Sequence, residues 1–137
     1  MYKRIFNESQ NLSNKFFIHW TKEQFAEDIL KNGFKFSTNL FGKAVYLQSE
    51  NTKMSYENKN IPLKVILQNS TNYYDNFNND NAFKLFTDFL HQNNLNKNNV
   101  HNYFLKLRFD GLNLLNFKWE PQIVLYNIKK IIKIELF

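Results

Sequence analysis

Apolar residues in this chain occur in short segments, and this feature constrains the fold more than any other. Phe16–Ile18, Ala44–Leu47 and Leu63–Leu67 have the length of β-strands, and Gln122–Tyr126 and Ile132–Leu136 also alternate in polarity as strands do. Few helical segments lie between them, and the regular strand-helix-strand order of a parallel sheet is not present. We therefore expect an α+β domain.

Three segments have the spacing of amphipathic helices. Apolar residues recur every three or four positions within residues 25–30, 83–90 and 100–107. Thr21 lies where a capping side chain is expected for the first helix, and Gly33 lies where that helix is expected to end. The sequence therefore predicts three helices, of which the last two form a pair.

The segments between these elements are rich in Asn and other turn-forming residues. Residues 69–81 are predicted to form a loop, and residues 93–99 a hinge between two helices. Gly111 predicts a turn that is followed by a strand at Asn113–Phe117. Thr52–Asn58 is interpreted as the start of a further helix.

Composition and charge favour one folded, basic domain. The 137 residues are 43% apolar and 18% aromatic with no repeat or linker, so a single domain spanning residues 1–137 is expected. Lys and Arg outnumber Asp and Glu by 18 to 12, and the net charge of +6 attracts polyanions. The Lys residues are scattered along the chain, which favours a generally basic surface over a dedicated nucleic-acid groove.

Missing residue types exclude several kinds of chemistry. The sequence contains no cysteine, which rules out disulfides, thiol nucleophiles and thiolate metal ligands. His19, His91 and His101 lack metal-ligand spacing with nearby carboxylates, so no metal is expected. No segment has the apolar length of a signal peptide or a membrane span, so we expect a cytoplasmic protein without a membrane partner. The oligomeric state is left open.

Four ordered motifs run through the first half of the chain. They are the strand end His19–Thr21 (His-Trp-Thr), the helix end Asn32-Gly33, the strand Phe41–Tyr46 (Phe-Gly-Lys-Ala-Val-Tyr) and Tyr56. In this order they resemble the core of the poly(ADP-ribose) polymerase and diphtheria-toxin branch of the ADP-ribosyltransferases. That branch has His-Gly-Ser or His-Gly-Thr, a helix closing on Asn-Gly, a Phe-Gly-Lys-Gly-hydrophobic-Tyr strand and a second Tyr. Gln122–Ile131 resembles its closing strands.

The resemblance covers residues 16–67 and 108–137 and implies both a fold and an activity. The fold is a single ADP-ribosyltransferase-like domain with a split antiparallel β-sheet core and a few flanking helices. The activity is mono-ADP-ribosyl transfer, in which the nicotinamide-ribose bond of NAD is cleaved and ADP-ribose passes to a macromolecular acceptor, a protein or a nucleic acid. A small enzyme of this kind is typical of a toxin, a phage-encoded effector or a defence component.

The resemblance also assigns roles within a nicotinamide pocket. His19 would hydrogen-bond a ribose hydroxyl, and the main chain of Trp20 would bind the nicotinamide amide. Tyr46 and Tyr56 would sandwich the nicotinamide ring and exclude water, and Thr21 would lie near the adenine-side ribose. The alternatives are structural: a capping or core role for His19, a core position for Tyr46 and a helix-surface position for Tyr56.

Two residues depart from the family pattern. Trp20 replaces the Gly that follows the family's His, and Gln122 stands where the family's catalytic Glu is found. Cleavage passes through an electron-poor, oxocarbenium-like sugar, which a carboxylate stabilises and an amide does not. Glu120 lies two residues earlier, on the same face of a strand, although Pro121 disfavours a regular strand there. We therefore predict Glu120 as the acidic residue and Gln122 as a contact to the ribose or the acceptor.

Two other functions are compatible with the sequence. One is a catalytically inactive binding module or inhibitor of the same fold, which Gln122 favours. The other is a basic nucleic-acid-binding protein whose aromatic side chains stack on bases. If the chain is an enzyme, acceptor contacts are expected in residues 69–81 and 93–99, because loops on a rigid scaffold commonly set specificity.

Overall fold

The short apolar segments pair into one open β-sheet. The computed structural model describes residues 15–50 and 61–137. Within these residues there are eight strands, three helices and a 3-10 turn at Ile128–Lys130. The elements are β1 (Phe17–Thr21), α1 (Glu23–Asn32), β2 (Ser37–Asn39), β3 (Gly42–Ser49), β4 (Ile61–Leu67), β5 (Tyr73–Tyr74), α2 (Ala82–Gln92), α3 (Val100–Lys106), β6 (Gly111–Leu114), β7 (Gln122–Leu125) and β8 (Ile131–Leu136). The predicted α+β class is confirmed.

The strand order determines where the sheet can open. The order is β5-β6-β7-β3-β1-β4-β8, with β2 added to β3 as a hairpin. All neighbours are antiparallel except β5 and β6. The central strand β1 pairs with β4 through five positions but with β3 only at Phe17 and Ile18. Beyond Ile18 the main-chain ladder between β1 and β3 is therefore interrupted.

Both faces of the central strands are buried, because their side chains alternate between two apolar clusters. Ala44 of β3 and Val124 of β7 belong to the cluster that α2 and α3 cover. Their neighbours Val45 and Ile123 belong to the second cluster, which includes Phe34 just after α1. Successive residues of a strand point to opposite faces, so the continuous apolar sequence of these strands matches a sheet with two covered faces.

Gly42 allows the β2-β3 hairpin to lie directly against α3. Its φ is +93°, a conformation that other residues rarely adopt. A Cβ atom at this position would come within 2.6 Å of Cγ1 of Val100, the first residue of α3. The N–H of Lys43 also donates to the carbonyl of Lys97 at 3.1 Å. Backbone conformation and packing thus explain the Gly of the Phe-Gly-Lys motif without any ligand.

The prediction that the first strand ends at His19 is wrong. β1 continues to Thr21, because His19, Trp20 and Thr21 pair with Leu63, Pro62 and Ile61 of β4. Thr21 therefore does not cap the first helix. Lys22 occupies the cap position and makes no side-chain capping hydrogen bond. The end of this helix is as predicted, since the N–H of Gly33, whose φ is +83°, donates to the carbonyl of Ile29.

Two predictions in the second half of the chain also need correction. Gly111 begins β6, where it pairs with Leu125 of β7, instead of forming a turn. A side chain at this position would collide with the carbonyl of Val124 on β7, which explains why the residue is a glycine. The predicted loop at residues 69–81 contains β5, which pairs in parallel with β6. Buried Asp110 fixes this segment, since its carboxylate accepts from the N–H of Asn72 at 2.8 Å.

Candidate functional site

A small cavity opens where the pairing between β1 and β3 ends. Its volume is about 110 Å³. Its walls come from β1, from the β2-β3 hairpin, from the middle of β3 and from the start of β7. The lining residues are His19, Trp20, Ser37, Asn39, Leu40, Phe41, Tyr46, Gln48, Glu120 and Gln122. The interrupted ladder therefore leaves a concave site at the centre of the sheet instead of at its rim.

His19 spans the gap between the two strands with its side chain. Its Nδ1 atom lies 3.0 Å from the carbonyl oxygen of Tyr46 on β3. A carbonyl only accepts, so Nδ1 carries the hydrogen and the orientation of the imidazole is fixed. The ring of Phe34 packs edge-on against the imidazole at a centroid distance of 4.9 Å. The hydrogen bond to Tyr46 and the contact with Phe34 thus help to hold His19 at the cavity.

Tyr46 is one of the residues that line the cavity, and its side chain also packs against the apolar cluster that α2 and α3 cover. The hydroxyl donates to the carbonyl of Gly42 and accepts from the N–H of Phe41 at 3.1 Å, at the turn of the β2-β3 hairpin. Burial raises the pKa of Tyr46 well above its ordinary value, and nearby Glu120 adds to this effect. The phenol is therefore neutral, and its hydroxyl is committed to main-chain atoms of the hairpin.

Trp20 is one of the residues that line the cavity, and it stands at the position of the family's Gly. Within the described part of the chain, its indole Nε1 is buried and has no hydrogen-bond partner. A buried donor without a partner costs about 1–3 kcal/mol of stability.

The main chain of Trp20 also faces the cavity side of β1. The N–H of Phe137 donates to the carbonyl of Pro62 at 3.1 Å, so Pro62 directs its main-chain oxygen toward β8. Trp20 lies opposite Pro62 in the β1-β4 pair. Main-chain groups alternate between the two sides of an antiparallel strand, so those of Trp20 point away from β4 and toward the β3 side.

Glu120 and Gln122 both line the cavity, but not as neighbours on one strand. β7 begins at Gln122, directly after Pro121. Glu120 lies in the turn before it, where the N–H of Glu120 donates to the carbonyl of Phe117 at 3.2 Å. The expectation that a strand would place both on one face is therefore wrong, because Pro121 ends the turn and precedes the strand.

Gln122 is the more enclosed of these two side chains. It is 4% exposed, and its Nε2 donates to the main-chain carbonyl of Glu120 at 3.2 Å. A Glu side chain in the same conformation would have no hydrogen to donate there. Glu120 is half-buried and is the carboxylate among the lining residues.

The structure does not place two of the predicted site residues at the described walls of the cavity, for different reasons. Tyr56, like the predicted helix at Thr52–Asn58, lies outside the described residues. Thr21 is buried at the end of β1, opposite Ile61, and does not contribute to the described walls. The described walls also receive no residue from 69–81 or 93–99.

Sequence reasoning missed the hairpin side of the cavity and one exposed aromatic residue. Ser37, Asn39 and Leu40 form a wall, and the turn residues between two short strands were the available signal for it. Trp119 is 83% exposed and directly precedes Glu120. An apolar ring so exposed beside a cavity is a typical contact for another molecule.

Comparison with protein-family models, curated proteins and solved structures found no match. In the part of the chain that the structure describes, no helix is long and apolar enough to cross a membrane. The same residues contain no group of three or more His, Asp or Glu side chains placed to hold a metal ion.

Proposed function

We propose that this chain is an NAD-dependent mono-ADP-ribosyltransferase whose cavity binds the nicotinamide end of NAD. The observation that carries the proposal is the meeting of His19, Trp20, Tyr46, Glu120 and Gln122 around one cavity. The family motifs selected His19, Trp20, Tyr46 and Gln122, and Glu120 was predicted as the carboxylate nearest to Gln122; these residues come from three regions that are distant in the sequence. The proposal includes assignment of the domain to the ADP-ribosyltransferase fold and of its reaction to the cytoplasm.

The size and lining of the cavity support a single planar ring as the occupant. An apolar cavity of about 150 Å³ can hold a benzene ring. The observed cavity of about 110 Å³ is smaller, so a six-membered ring would fill it and extend partly into its open mouth. Tyr46 offers a ring face for stacking. The main chain of Trp20, which points to the β3 side of β1, supplies hydrogen-bonding groups for the carboxamide. The ribose and the rest of NAD would extend out through the mouth.

The proposed reaction breaks the bond between the nicotinamide nitrogen and C1′ of the ribose. The bonding electron pair leaves with nicotinamide, and a nucleophilic atom of the acceptor forms a new bond to C1′ and loses its proton. Glu120 would stabilise the positive charge that develops on the sugar, because a fixed carboxylate acts strongly in a partly buried site. His19 would orient the ribose, and Tyr46 would exclude water from it.

The acceptor would bind at the mouth of the cavity beside Glu120. Trp119 is 83% exposed there, and Lys118 before it has an 84% exposed side chain. An exposed indole next to a cation suits either a protein surface or a nucleic-acid base with its phosphate. The acceptor is therefore a macromolecule, and Trp119 is its proposed first contact.

A second candidate function is an NAD-binding module without transferase activity. Gln122 favours it, because this buried amide donates to a main-chain carbonyl and so suits a neutral side chain at the position of the family's Glu. Such a module would bind NAD in the same cavity and leave it intact. Release of nicotinamide separates the two functions.

Labelled NAD tests the proposal directly. The protein is incubated with NAD labelled in the adenylate part and with a cell lysate, and label on macromolecules and free nicotinamide are both measured. Glu120→Gln should abolish transfer, and Gln122→Ala should reduce it less. Glu27→Gln, which changes an exposed residue of α1, is the matched control and should transfer as the wild type does.

Each outcome of this experiment has a defined meaning. If NAD binds but neither transfer nor nicotinamide release occurs, the binding module is the correct function. If Glu120→Gln retains transfer and Gln122→Ala loses it, Glu120 is not the acidic residue. If wild-type protein neither binds nor cleaves NAD, the proposed function is wrong.

A further inference from the structure

Strand β8 is the edge of the sheet in the described part of the chain. The strand order ends at β8, which pairs on one side with β4. Two of its residues expose large apolar side chains: Ile132 is 62% exposed and Leu136 is 64% exposed. An edge strand with exposed apolar residues is a site where another strand can add to the sheet.

The hydrogen bonds of its neighbour show which main-chain groups of β8 face outward. The N–H of Phe137 donates to Pro62 of β4 at 3.1 Å, so Phe137 faces β4. Main-chain groups alternate sides along an antiparallel strand. Glu135 and Lys133 therefore also face β4, whereas Leu136 and Ile134 direct their N–H and carbonyl groups to the outer edge.

The sequence of β8 is complementary to itself in one antiparallel register. If two copies meet with Ile134 opposite Ile134, each Lys133 lies opposite the Glu135 of the other copy. Ile132 then lies opposite Leu136, which pairs the two exposed apolar residues. Ile132 is the extra residue where the register between β4 and β8 shifts, so the regular part of the new pairing covers Lys133–Glu135. Ile134 faces outward, so this register joins the outward-facing groups of both copies by hydrogen bonds. Opposite charges and apolar pairs that face each other across strands stabilise a sheet.

A groove beside β8 would receive apolar side chains of the second copy. Its volume is about 330 Å³, and it lies between the end of α1 and the first half of β8. Leu30 of α1 and Ile132 of β8 line it and are partly or largely exposed. In the register described above, Leu136 of the second copy lies opposite Ile132, at this groove.

We propose that two copies of this chain associate through β8, in an antiparallel pair centred on Ile134, to form a continuous sheet across a two-fold axis. The contact is isologous, because the same residues are used on both copies, and it closes without leaving a further free β8 edge. The strand is short, so the interface is small and association depends on protein concentration.

Sedimentation equilibrium of the full chain tests this pairing. Wild-type protein is measured from about 1 µM to about 1 mM, the range in which small interfaces associate. The mass should rise from the monomer value of 16.6 kDa toward twice that value. A mass that stays at 16.6 kDa throughout this range contradicts the proposal.

Charge reversal distinguishes this register from other contacts. Glu135→Lys leaves two cations, and Lys133→Glu two anions, at the positions that face each other. Each variant alone should remain monomeric, whereas an equal mixture of the two should associate as the wild type does, because the charges are again complementary. Recovery in the mixture also shows that neither variant is misfolded.

A matched variant controls for the change in net charge. Asp88→Lys reverses an exposed partner of the Lys84–Asp88 ion pair on α2, away from β8, and should associate as the wild type does. If the two β8 variants associate as strongly alone as the wild type does, or if their mixture remains monomeric, the proposed pairing is wrong.

Discussion

The two ends of strands β3 and β7 are built on different principles. On one side, Phe104 of α3 stacks on Phe89 at 5.3 Å and on Tyr126 at 5.7 Å, within a cluster of buried and partly buried rings. On the other side, the cavity holds His19 and Tyr46 by hydrogen bonds to main-chain atoms. The first region, the aromatic cluster, is held together mainly by close packing of side chains. In the second region, the cavity, directional hydrogen bonds hold the side chains in place.

This difference teaches how stability and ligand binding are divided in the molecule. Removing a ring from the aromatic cluster leaves a void, and the cost appears in the free energy of unfolding. Removing a polar group from the cavity breaks one hydrogen bond, which costs little stability but disturbs the geometry that a ligand would meet. Substitutions in the aromatic cluster should therefore lower mainly the free energy of unfolding, whereas substitutions at the cavity should lower mainly the affinity for NAD.

The largest stability effect is expected from Phe104→Ala in the aromatic cluster. Phe104 is completely buried and contacts several rings, so the free energy of unfolding should fall by about 3–5 kcal/mol. Urea unfolding measures this loss. Phe83→Ala is the control, because Phe83 is 43% exposed and its removal should cost much less. Equal losses in the two variants would contradict the role given to the cluster.

Alkaline pH should destabilise the protein through buried tyrosines in both regions. Burial raises the pKa of Tyr46, Tyr73 and Tyr126 above the ordinary value, with further increases from Glu120, Asp110 and Tyr46 respectively. Above about pH 10 the unfolded chain ionises while the folded chain keeps these protons. Unfolding then releases protons, so stability present below about pH 10 is lost as the pH rises, by up to about 1.4 kcal/mol per unit for each tyrosine.

Urea unfolding at several pH values above neutrality measures this slope. Tyr126→Phe and Tyr46→Phe should each make the loss of stability with pH less steep than in the wild type. An unchanged slope in both variants would show that other groups, and not these phenols, cause the alkaline effect. Comparison of the two variants shows how much of the effect each phenol causes.

Tyr46→Phe should lower stability less than Phe104→Ala and keep the aromatic ring. Both hydroxyl bonds, to Gly42 and Phe41, are lost and leave two main-chain groups unpaired, which costs about 1–3 kcal/mol of unfolding free energy. NAD affinity should stay within about a factor of three of the wild type, because stacking uses the ring face. Tyr46→Ala should lose NAD binding, and equal affinities in these two variants would exclude a stacking role.

Trp119→Ala should have the smallest effect on stability and a selective effect on transfer. Trp119 is 83% exposed, so the free energy of unfolding should change by no more than about 0.5 kcal/mol. Label transfer to macromolecules should fall, while release of nicotinamide into water should continue. A parallel loss of both would place Trp119 in NAD binding instead of acceptor binding.

Local patterns in the sequence predicted much of the fold. The strands at β3, β4 and β7 and the two helices α2 and α3 follow from apolar spacing, because that spacing reflects which face is buried. Gly33 ended its helix as expected, because the required conformation is a property of the single residue. The errors at His19 and Gly111 arose where pairing with a distant strand decided the outcome.

The candidate site could be predicted only in part. Motif order selected residues that now line one cavity, but it could not show that Glu120 lies in a turn before β7 instead of within a strand. It also gave no indication of the buried indole N–H of Trp20 or the exposed ring of Trp119. Both properties depend on contacts between segments that are distant along the chain.

Calorimetric titration with NAD is the most direct test of the central claim that the cavity binds the nicotinamide end of NAD. The account predicts one binding site in the wild type, at least about tenfold weaker binding in His19→Ala, and unchanged binding in His91→Ala, which alters an exposed histidine on α2. Nicotinamide should compete for the site. Absence of binding by the wild type, or equal affinity in His19→Ala and the wild type, would contradict the account.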